Sequence, residues 1–378
     1  MRALRPTQVL TLLAALALGM TAVHAQTVAS ALYNYDTSVR NYNLITLSTT
    51  ATTTLSNYGD TQGGLAIRGA LAVGNGGAVA AQLGSIGSNG DPSLYVGGAL
   101  TVTGNVMLNG GYASINSSAN SANYTWNASS LSLVSNANSS NDLNITNSGS
   151  STNPLTGAAP SNWNWATIQS NLVSDSNTLK NATANGTSVI NGTISVNSQN
   201  LVLTPNSTPA TDATVIFTLD ASQLSGNSLN GQTFSNIQID VPTDVNYVVN
   251  VINLGSGTTT LFSGANFNSG SNDTNLLWNI EGSGTVNLGS GSFYGSVLAP
   301  TATITNNGNT TINGQVVANA FTDDNTELHY LGFDAVSVVV PEPTTFALWG
   351  VALCGAGILV RRKLVRSASG PGAAPVIR

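Results

Sequence analysis

Residues 295–299 read Gly-Ser-Val-Leu-Ala, and residues 314–318, nineteen positions later, read Gly-Gln-Val-Val-Ala. A similar pair, Gly-Ala-Leu-Ala-Val at 69–73 and Gly-Ala-Leu-Thr-Val at 98–102, is twenty-nine positions apart. The shorter offset is about the length of one coil of a solenoid, in which each strand pairs with strands of the coils above and below. The sequence therefore predicts an all-β domain of the right-handed β-helix or solenoid type.

The stretches around these repeats are short β-branched runs interrupted by Gly, Asn and Ser. Runs of three to six such residues, bounded by turn residues, are typical of short strands. Gly and Asn can supply positive φ at the corners, and Asn side chains can stack from coil to coil. A β-sandwich is the alternative architecture. Examples of the runs are 215–217 (Val-Ile-Phe), 247–251 (Tyr-Val-Val-Asn-Val) and 286–288 (Val-Asn-Leu).

One segment departs from the strand pattern. After Ser161 and Asn162, apolar residues recur at helical spacing through Lys180, which predicts a single flanking helix. Residues 112–153 are so rich in Asn and Ser that we expect polar coils or a long loop there, without a core.

Charged side chains are scarce, with 10 Lys+Arg and 16 Asp+Glu in 378 residues. Between residues 26 and 340 the basic residues are Arg40, Arg68 and Lys180, against fifteen acidic residues. Because nucleic-acid binding needs clustered Lys and Arg to neutralise phosphates, we expect no nucleic-acid partner.

The inventory of reactive side chains is equally small. The chain has one cysteine, Cys354, and two histidines, His24 and His329. This excludes Cys-His catalysis, Cys-based zinc sites and sites with several His ligands. We therefore predict a protein that is not an enzyme, with no catalytic residues, no metal and no cofactor.

Three groups of residues were candidates for chemistry, and each has a structural interpretation that we prefer. Glu327 and His329 would share one face of a strand, near Asp323 and Asp324, but two ligands are too few for a metal site. The carboxylates of Asp220, Asp240 and Asp244 lack the spacing of a calcium loop. In the pair Trp278-Asn279, we expect the indole to fill the coil interior and the amide to lie at a corner.

The N-terminus has the features of a secretory signal peptide, residues 1–25. Arg2 and Arg5 precede the apolar stretch 9–20, and small residues follow at the cleavage offsets. We predict cleavage between Ala25 and Gln26. An uncleaved anchor helix is the alternative, although the apolar stretch is short for a membrane span.

The C-terminus combines three features in a fixed order. A linker, 335–345, contains Pro341-Glu342-Pro343; an apolar run, 346–360, follows; and Arg361-Arg362-Lys363 begins a basic tail, 361–378. The run is short, but it can cross a locally thinned membrane as a transmembrane helix, and the basic cluster places the tail in the cytoplasm. A plain tail anchor is the alternative.

This ending resembles the PEP-CTERM sorting signal of Gram-negative bacteria. The resemblance implies an exosortase, a membrane-embedded cysteine protease or transpeptidase, as the processing partner. It also implies transient anchoring in the inner membrane and a link to exopolysaccharide and biofilm formation.

The body resembles a second family, the choice-of-anchor A domain, from about residue 30 to 333. The matching segments, in order, are Gly64–Gly76, Ile239–Pro242, Leu276–Ile280, the 295–300 and 314–318 segments and Glu327–His329. The resemblance implies that residues 26–334 form an adhesive or surface domain with a β-helix-like fold. The Gly-Gly that usually ends the first motif is here Gly74-Asn75-Gly76-Gly77, which puts a binding surface on those loops in doubt.

Together these features predict a secreted, envelope-anchored adhesive or structural protein of the cell surface or extracellular matrix. Its expected ligand is exopolysaccharide or another surface. A carbohydrate-active β-helix lyase or hydrolase is one alternative, but it would need paired carboxylates or basic residues in a groove. Ice binding is the other, and it would need rows of Thr; the Thr-rich run 49–54 does not recur as T-x-T at the coil period.

Overall fold

The computed structural model describes residues 27–56, 61–74, 78–79, 91–145, 152–155, 163–255, 257–269, 273–289 and 291–336. All of these belong to the first of two compact units, Met1–Ser337 and Val338–Arg378. The signal peptide with its Ala25/Gln26 cleavage site, the Pro-Glu-Pro motif, Cys354, the predicted span and the basic tail lie outside the described residues. Within the described ranges, no helix is long and apolar enough to cross a membrane.

The described residues form three α-helices. The predicted flanking helix is confirmed as α3, and the structure adds α1 and the single turn α2, which the sequence analysis did not predict. In α1, the Thr27 side chain caps the first turn, and apolar residues at positions 28, 31, 32, 35 and 39 share one face. The helices are α1 (Val28–Val39), α2 (Ser117–Asn120) and α3 (Trp165–Lys180), with 3-10 turns at Ala221–Gln223 and Asp273–Asn275.

Most of the remaining described residues lie in short strands, as the runs of β-branched residues predict. In chain order they are β1 (Tyr42–Thr46), β2 (Thr52–Ser56), β3 (Gly64–Ile67), β4 (Ala70–Gly74), β5 (Ala78–Val79), β6 (Leu94–Val96), β7 (Leu100–Thr103), β8 (Asn105–Leu108), β9 (Ala113–Ile115), β10 (Tyr124–Asn127), β11 (Ser132–Ser135), β12 (Asp142–Asn144) and β13 (Val189–Asn197). They continue as β14 (Asn200–Pro205), β15 (Thr214–Asp220), β16 (Ser228–Leu229), β17 (Gln232–Thr233), β18 (Asn236–Ile239), β19 (Asn246–Ile252), β20 (Thr258–Thr260), β21 (Asn266–Ser269), β22 (Leu276–Ile280), β23 (Thr285–Asn287), β24 (Phe293–Tyr294), β25 (Ser296–Asn313) and β26 (Val316–His329).

Ten strands pair in parallel to form one long ladder, which we call the covered ladder. Its strands bury both faces, so their sequences are nearly continuous apolar runs, as in β22, where all five residues are buried. α3 runs along this ladder; its sixteen residues span about 24 Å, roughly five rungs at about 4.8 Å each. The spatial order is β9, β6, β3, β1, β26, β25, β22, β19, β15, β13.

A second parallel ladder, the open ladder, has one face toward solvent. Burial alternates along its strands, as in β7, where Leu100 and Val102 are buried and Thr101 and Thr103 are exposed. Its spatial order is β7, β4, β2, β26, β25, β23, β20.

The remaining strands complete the stack and close one end of it. β14, β18 and β21 pair in parallel, as do β5, β8 and β12. Antiparallel β10 and β11 extend the second group and bury Leu133 and Leu143, so the expectation of coreless polar coils at 112–153 is wrong. Polar side chains from this region also satisfy the edge of β7: Asn120 Oδ1 accepts from Leu100 N at 2.7 Å, and Tyr124 Oη from Val102 N at 2.9 Å.

The repeats seen in the sequence are parallel strands in register. Leu71 pairs with Leu100, and Val297 pairs with Val316, which are the offsets of twenty-nine and nineteen residues. The fold of the described residues is mostly β with three helices. The sandwich alternative is built from antiparallel sheets, whereas the strands of both ladders are parallel.

The first and last coils meet in the middle of the covered ladder, at a contact that we call the seam. There β1 lies between β3 and β26, with Leu44 opposite both Leu65 and Val316. The buried Gln315 fixes the seam: its Nε2 donates to the carbonyls of Val39 and Tyr42, both at 2.8 Å. Its Oε1 accepts from Phe333 N at 2.8 Å, in the C-terminal strap formed by residues 330–336.

Candidate surface-binding face

The solvent side of the open ladder carries two columns of small polar side chains in register. Part of the first column reads, rung by rung, Ala320, Thr303, Thr285, Thr258. Thr52 and Ala70, which pair with each other on β2 and β4, belong to the same column. The second column reads, rung by rung, Thr101, Ala72, Thr54, Thr322, Thr305, Asn287, Thr260. We call these two columns the threonine face.

The backbone alone sets the spacing of this array. Residues i and i+2 on a strand are about 6.6 Å apart, and adjacent rungs are about 4.8 Å apart. Thr is stiff at χ1, so little side-chain entropy is lost when its hydroxyl and methyl groups contact a ligand. Most inward positions between the columns are apolar and buried, as at Leu71, Val286 and Ile304, and this packing holds the rungs in place. The inward Thr53 is also buried, and its hydroxyl donates to Thr46 Oγ1 at 2.9 Å.

The threonine face is electrically neutral. All residues of its two columns are Thr, Ala or Asn. The exposed Asp324 lies two residues beyond the second column on β26, opposite Asn307 and Ser56. Arg68, at the corner between β3 and β4, is engaged elsewhere, since its Nη1 donates to Gln169 Oε1 at 2.6 Å and to Leu47 O at 3.3 Å. The face therefore suits contact with a neutral, ordered surface.

A shallow groove interrupts the face. It has a volume of about 210 Å³ and lies over β4, whose outward residues Ala72 and Gly74 are smaller than those of the flanking strands. Thr54 and Ser56 line it on one side and Thr103 on the other. We call it the trough.

The structure does not bring the predicted acidic cluster together as one site. Asp323 is buried and Asp324 exposed on the open ladder, whereas Glu327 and His329 lie further along β26. The sequence places the last two on one face, and the structure confirms it: His329 Nε2 lies 3.2 Å from Glu327 Oε2. The other ring nitrogen lies 3.1 Å from Asn313 Oδ1. Among the described residues, no three His, Cys, Asp or Glu side chains group closely enough to hold a metal ion.

Two of the three candidate calcium ligands have local partners. Asp220 accepts hydrogen bonds from the Ser222 hydroxyl at 2.6 Å and from Ser222 N at 3.0 Å. The hydroxyl bond is the main reason why the pKa of Asp220 lies below its usual value. Asp244 Oδ2 accepts from Thr211 Oγ1 at 3.0 Å. Asp240 acts on Tyr247, whose pKa is raised to about 12, mainly by burial and then by the charge of Asp240.

The pair Trp278-Asn279 confirms one expectation and corrects another. Trp278 is fully buried in the coil interior, and its Nε1 donates to Tyr294 O at 2.9 Å. Asn279 does not lie at a corner, because it is in the middle of β22 and faces α3. Its Nδ2 donates to Ser176 O at 3.0 Å and to Asn250 Oδ1 at 2.8 Å, so it joins the helix to the ladder.

Sequence reasoning missed the threonine face because the coils differ in length. The residue pairs Thr258/Thr260, Thr285/Asn287 and Thr303/Thr305 are visible in the sequence, but their spacings are 27 and 18 residues. Thr54 joins the same column from the far end of the chain. A signal existed as isolated T-x-T triplets at 52–54, 258–260 and 303–305, without a constant period.

Comparisons with known proteins give one family and a number of similar solved structures, among them three ice-binding proteins. An ice-binding protein from an Arctic yeast shares 12% identity over 80% of this chain and 96% of its own, with a TM-score of 0.36. An ice-binding protein from an Antarctic biological consortium shares 16% sequence identity over 79% of this chain and 94% of its own, with a TM-score of 0.33. An ice-binding protein from Shewanella frigidimarina shares 12% sequence identity over 78% of this chain and 96% of its own, also with a TM-score of 0.33. The comparison with curated proteins found no match.

The family model described as "Putative Ice-binding-like adhesive domain" matches residues 36–330. This range includes all strands of both ladders and all of α3. Since the match covers well over half of the chain, the protein belongs to the family of ice-binding-like adhesive domains.

Proposed function

We propose that the protein is an extracellular adhesive protein that contacts an ordered, neutral surface through the threonine face. The observation that carries this proposal is the register of the second column, in which five of seven rungs present Thr. Each hydroxyl makes a weak contact, and a rigid array adds many such contacts with little further loss of entropy. Membership of an adhesive family supports the same function.

We also propose how the domain is displayed. The stacked parallel ladders support a right-handed solenoid over residues 26–334, as the choice-of-anchor A resemblance implies. Residues 1–25 would direct export, with cleavage between Ala25 and Gln26. Pro341-Glu342-Pro343, the run 346–360 and Arg361-Arg362-Lys363 would retain the chain in the membrane until an exosortase acts. Exopolysaccharide would then be a neighbour in the extracellular matrix.

The adhesive function is tested by the Thr305→Lys variant, which places a long cation in the centre of the threonine face. The full-length protein is immobilised on beads, and bead retention on polysaccharide-coated surfaces is measured under flow. We expect retention to fall at least tenfold. Gln238→Lys is the matched control, because it adds the same charge at an exposed position of β18, outside the threonine face. If both variants are retained like the parent, the face is not the adhesive surface.

Display is tested by the intact mass of protein extracted from the envelope of its native host. We expect an N-terminus at Gln26 and loss of the tail that contains Arg361, Arg362 and Lys363. A tail that stays intact in a strain with an active exosortase would contradict the sorting proposal and leave the adhesive one untouched.

Ice is a second candidate ligand, and the T-x-T pattern of Thr52/Thr54, Thr258/Thr260 and Thr303/Thr305 is the observation that favours it. Regular hydroxyl and methyl groups on a rigid sheet can order water in a lattice-like layer. Thermal hysteresis and the shaping of ice crystals would measure this activity. We expect Thr305→Lys to abolish both if ice is the ligand and Gln238→Lys to change neither. A parent protein without thermal hysteresis would exclude this candidate.

A further inference from the structure

At the trough the threonine face is not flat. On β2 and β7 the outward residues carry hydroxyl groups, whereas β4 between them carries Ala72 and Gly74. Two rung spacings separate the flanking strands, so their backbones are about 9–10 Å apart and leave a gap one strand wide between the wall side chains. The trough therefore has the width of a single sugar ring or of an extended polymer chain.

The trough also depends on the missing side chain at Gly74. A Cβ atom at this position would lie 3.3 Å from the Cβ of Thr103 and would narrow the trough at that wall. The φ angle of Gly74 does not lie in the left-handed region, so the backbone conformation does not require glycine there.

The walls and floor differ in chemistry. Thr54, Ser56 and Thr103 offer hydroxyl groups that can both donate and accept hydrogen bonds. The floor offers the methyl group of Ala72 and the bare backbone at Gly74. A pyranose presents the complementary pattern, with hydroxyl groups around its rim and C–H groups on its faces.

Charge selects among sugars. Among the residues that the structure describes, no charged side chain lines the trough, and the exposed Asp324 lies opposite Ser56 on the neighbouring strand β26. A uronate or sulfated sugar would lose hydration without gaining a cation partner, and it would be repelled by Asp324.

From this geometry we propose that the trough is a binding subsite for one residue of a neutral polysaccharide. The proposal rests on the proposed adhesive function and specifies its ligand. The trough extends over Ala72 and Gly74, about 6.6 Å along β4, so it holds one sugar rather than an oligosaccharide. A single site of this size binds weakly, and useful retention comes from many copies on one surface.

The decisive variants fill the trough from β4. Ala72→Thr adds a hydroxyl and a methyl group to the floor and completes the second threonine column. Gly74→Ala narrows the wall at Thr103. Ala128→Thr is the matched control, since it makes the same change at an exposed position in the turn between β10 and β11, outside the threonine face.

Affinity is measured by NMR titration of the full-length protein with cellohexaose, chitohexaose and an alginate hexamer. We expect at least one neutral hexamer to bind the parent and the Ala128→Thr control equally. Ala72→Thr and Gly74→Ala should each weaken that binding at least tenfold, and the anionic hexamer should bind at least tenfold more weakly than the neutral one.

Three results would overturn the subsite: no neutral hexamer binds the parent, Ala72→Thr binds like the parent, or the alginate hexamer binds as tightly as the neutral ones. The adhesive function is judged separately by Thr305→Lys. If Ala72→Thr retains or improves bead adhesion while Thr305→Lys abolishes it, the face is adhesive as a flat array and the trough is not a subsite.

Discussion

At the scale of single residues, glycines determine how closely neighbouring coils approach at a corner. Gly98 lies directly over Gly69 of the coil below: a Cβ atom at Gly98 would come within 2.7 Å of the Gly69 carbonyl carbon and 2.8 Å of Ala70 N. Gly69 in turn lies over Ser48 and Ala51, whose carbonyl oxygens would be 2.6 and 2.8 Å from an added Cβ atom. Backbone cannot move aside as a side chain can, so this corner requires glycine in successive coils.

Gly98→Ala should therefore destabilise the domain by about 1–3 kcal/mol, the usual cost of overpacking. Gly257→Ala is the control, because nothing lies within 4 Å of its added Cβ atom, and it should be neutral or slightly stabilising. Urea unfolding of both variants measures the difference. Equal stability of the two would mean that the corner relaxes without cost.

Two aspartates should have opposite effects on the pH dependence of stability. Burial raises the pKa of Asp36 above its ordinary 3.8, although Arg40, 2.8 Å away, partly opposes the shift. A raised pKa in the folded state means that stability is lost as the pH rises above about 4. The pKa of Asp220 is lowered, chiefly by the Ser222 hydroxyl, so Asp220 contributes stability that is lost as the pH falls.

The free energy of unfolding, measured at pH 4 and pH 7, should show this contrast. From pH 4 to pH 7, the free energy of unfolding of the parent should fall relative to that of the Asp36→Asn variant. Relative to the Asp220→Asn variant, it should not fall. If the parent instead becomes more stable relative to the Asp36→Asn variant as the pH rises, the ion pair with Arg40 outweighs the effect of burial on Asp36.

At the scale of elements, side-chain amides fasten α3 to the covered ladder. Asn279 bonds to Ser176 and Asn250, and Asn250 Nδ2 donates to Leu179 O at 2.9 Å. Asn279 and Asn250 are opposite each other on adjacent strands, so the amides form a short stack beneath the helix. Their polar groups are buried, and they replace bonds to water that the helix and ladder lose when they pack.

Asn279→Ala should destabilise the domain by roughly 1–3 kcal/mol for each buried group left without a partner. The control is Asn177→Ala, one residue after Ser176 on the exposed face of α3, whose Nδ2 bonds only within the helix, to Val173 O. Thermal unfolding should separate the two variants clearly. A loss no larger than that of the control would show that the amide stack is dispensable.

Sequence reasoning succeeded where a single element carries its own signal. The β-branched runs, the two coil offsets and the periodic segment that became α3 all depend on neighbours in sequence. α1 was missed although Val28, Ala31, Leu32 and Tyr35 have helical spacing, because it lies directly after the expected signal peptide. Asn279 and the threonine columns could not be placed, since their neighbours come from distant strands.

At the scale of the whole molecule, the seam joins the two halves of the chain. Val316 and Leu44 pair across the seam, and Gln315 bonds to the end of α1, the start of β1 and the C-terminal strap. The strap continues across the covered ladder, where Asp334 N donates to Thr274 O at 2.9 Å and Val336 N to Asn246 Oδ1 at 3.0 Å. The rungs on either side of the seam should therefore unfold together.

Gln315→Ala tests this coupling by native-state hydrogen exchange. Each polar group left unpaired should lower the stability by roughly 1–3 kcal/mol. The protection of amide protons against exchange should fall equally in β3 and in β22, which lie on opposite sides of the seam. The parent provides the reference values for both strands. Lower protection at β22 alone would indicate that the two halves are independent units.

The position of the seam also has a genetic consequence. The outermost rungs of the covered ladder, β9 and β13, come from the interior of the sequence, while β1 and β26 lie in the middle of the stack. An in-frame duplication or deletion of one coil near residues 113–115 or 189–191 would lengthen or shorten the stack at an extremity and leave the seam, the strap and α1 untouched. Insertions and deletions among relatives should therefore accumulate in the interior of the gene, and homologous sequences should be most constant in length at the two margins of the domain.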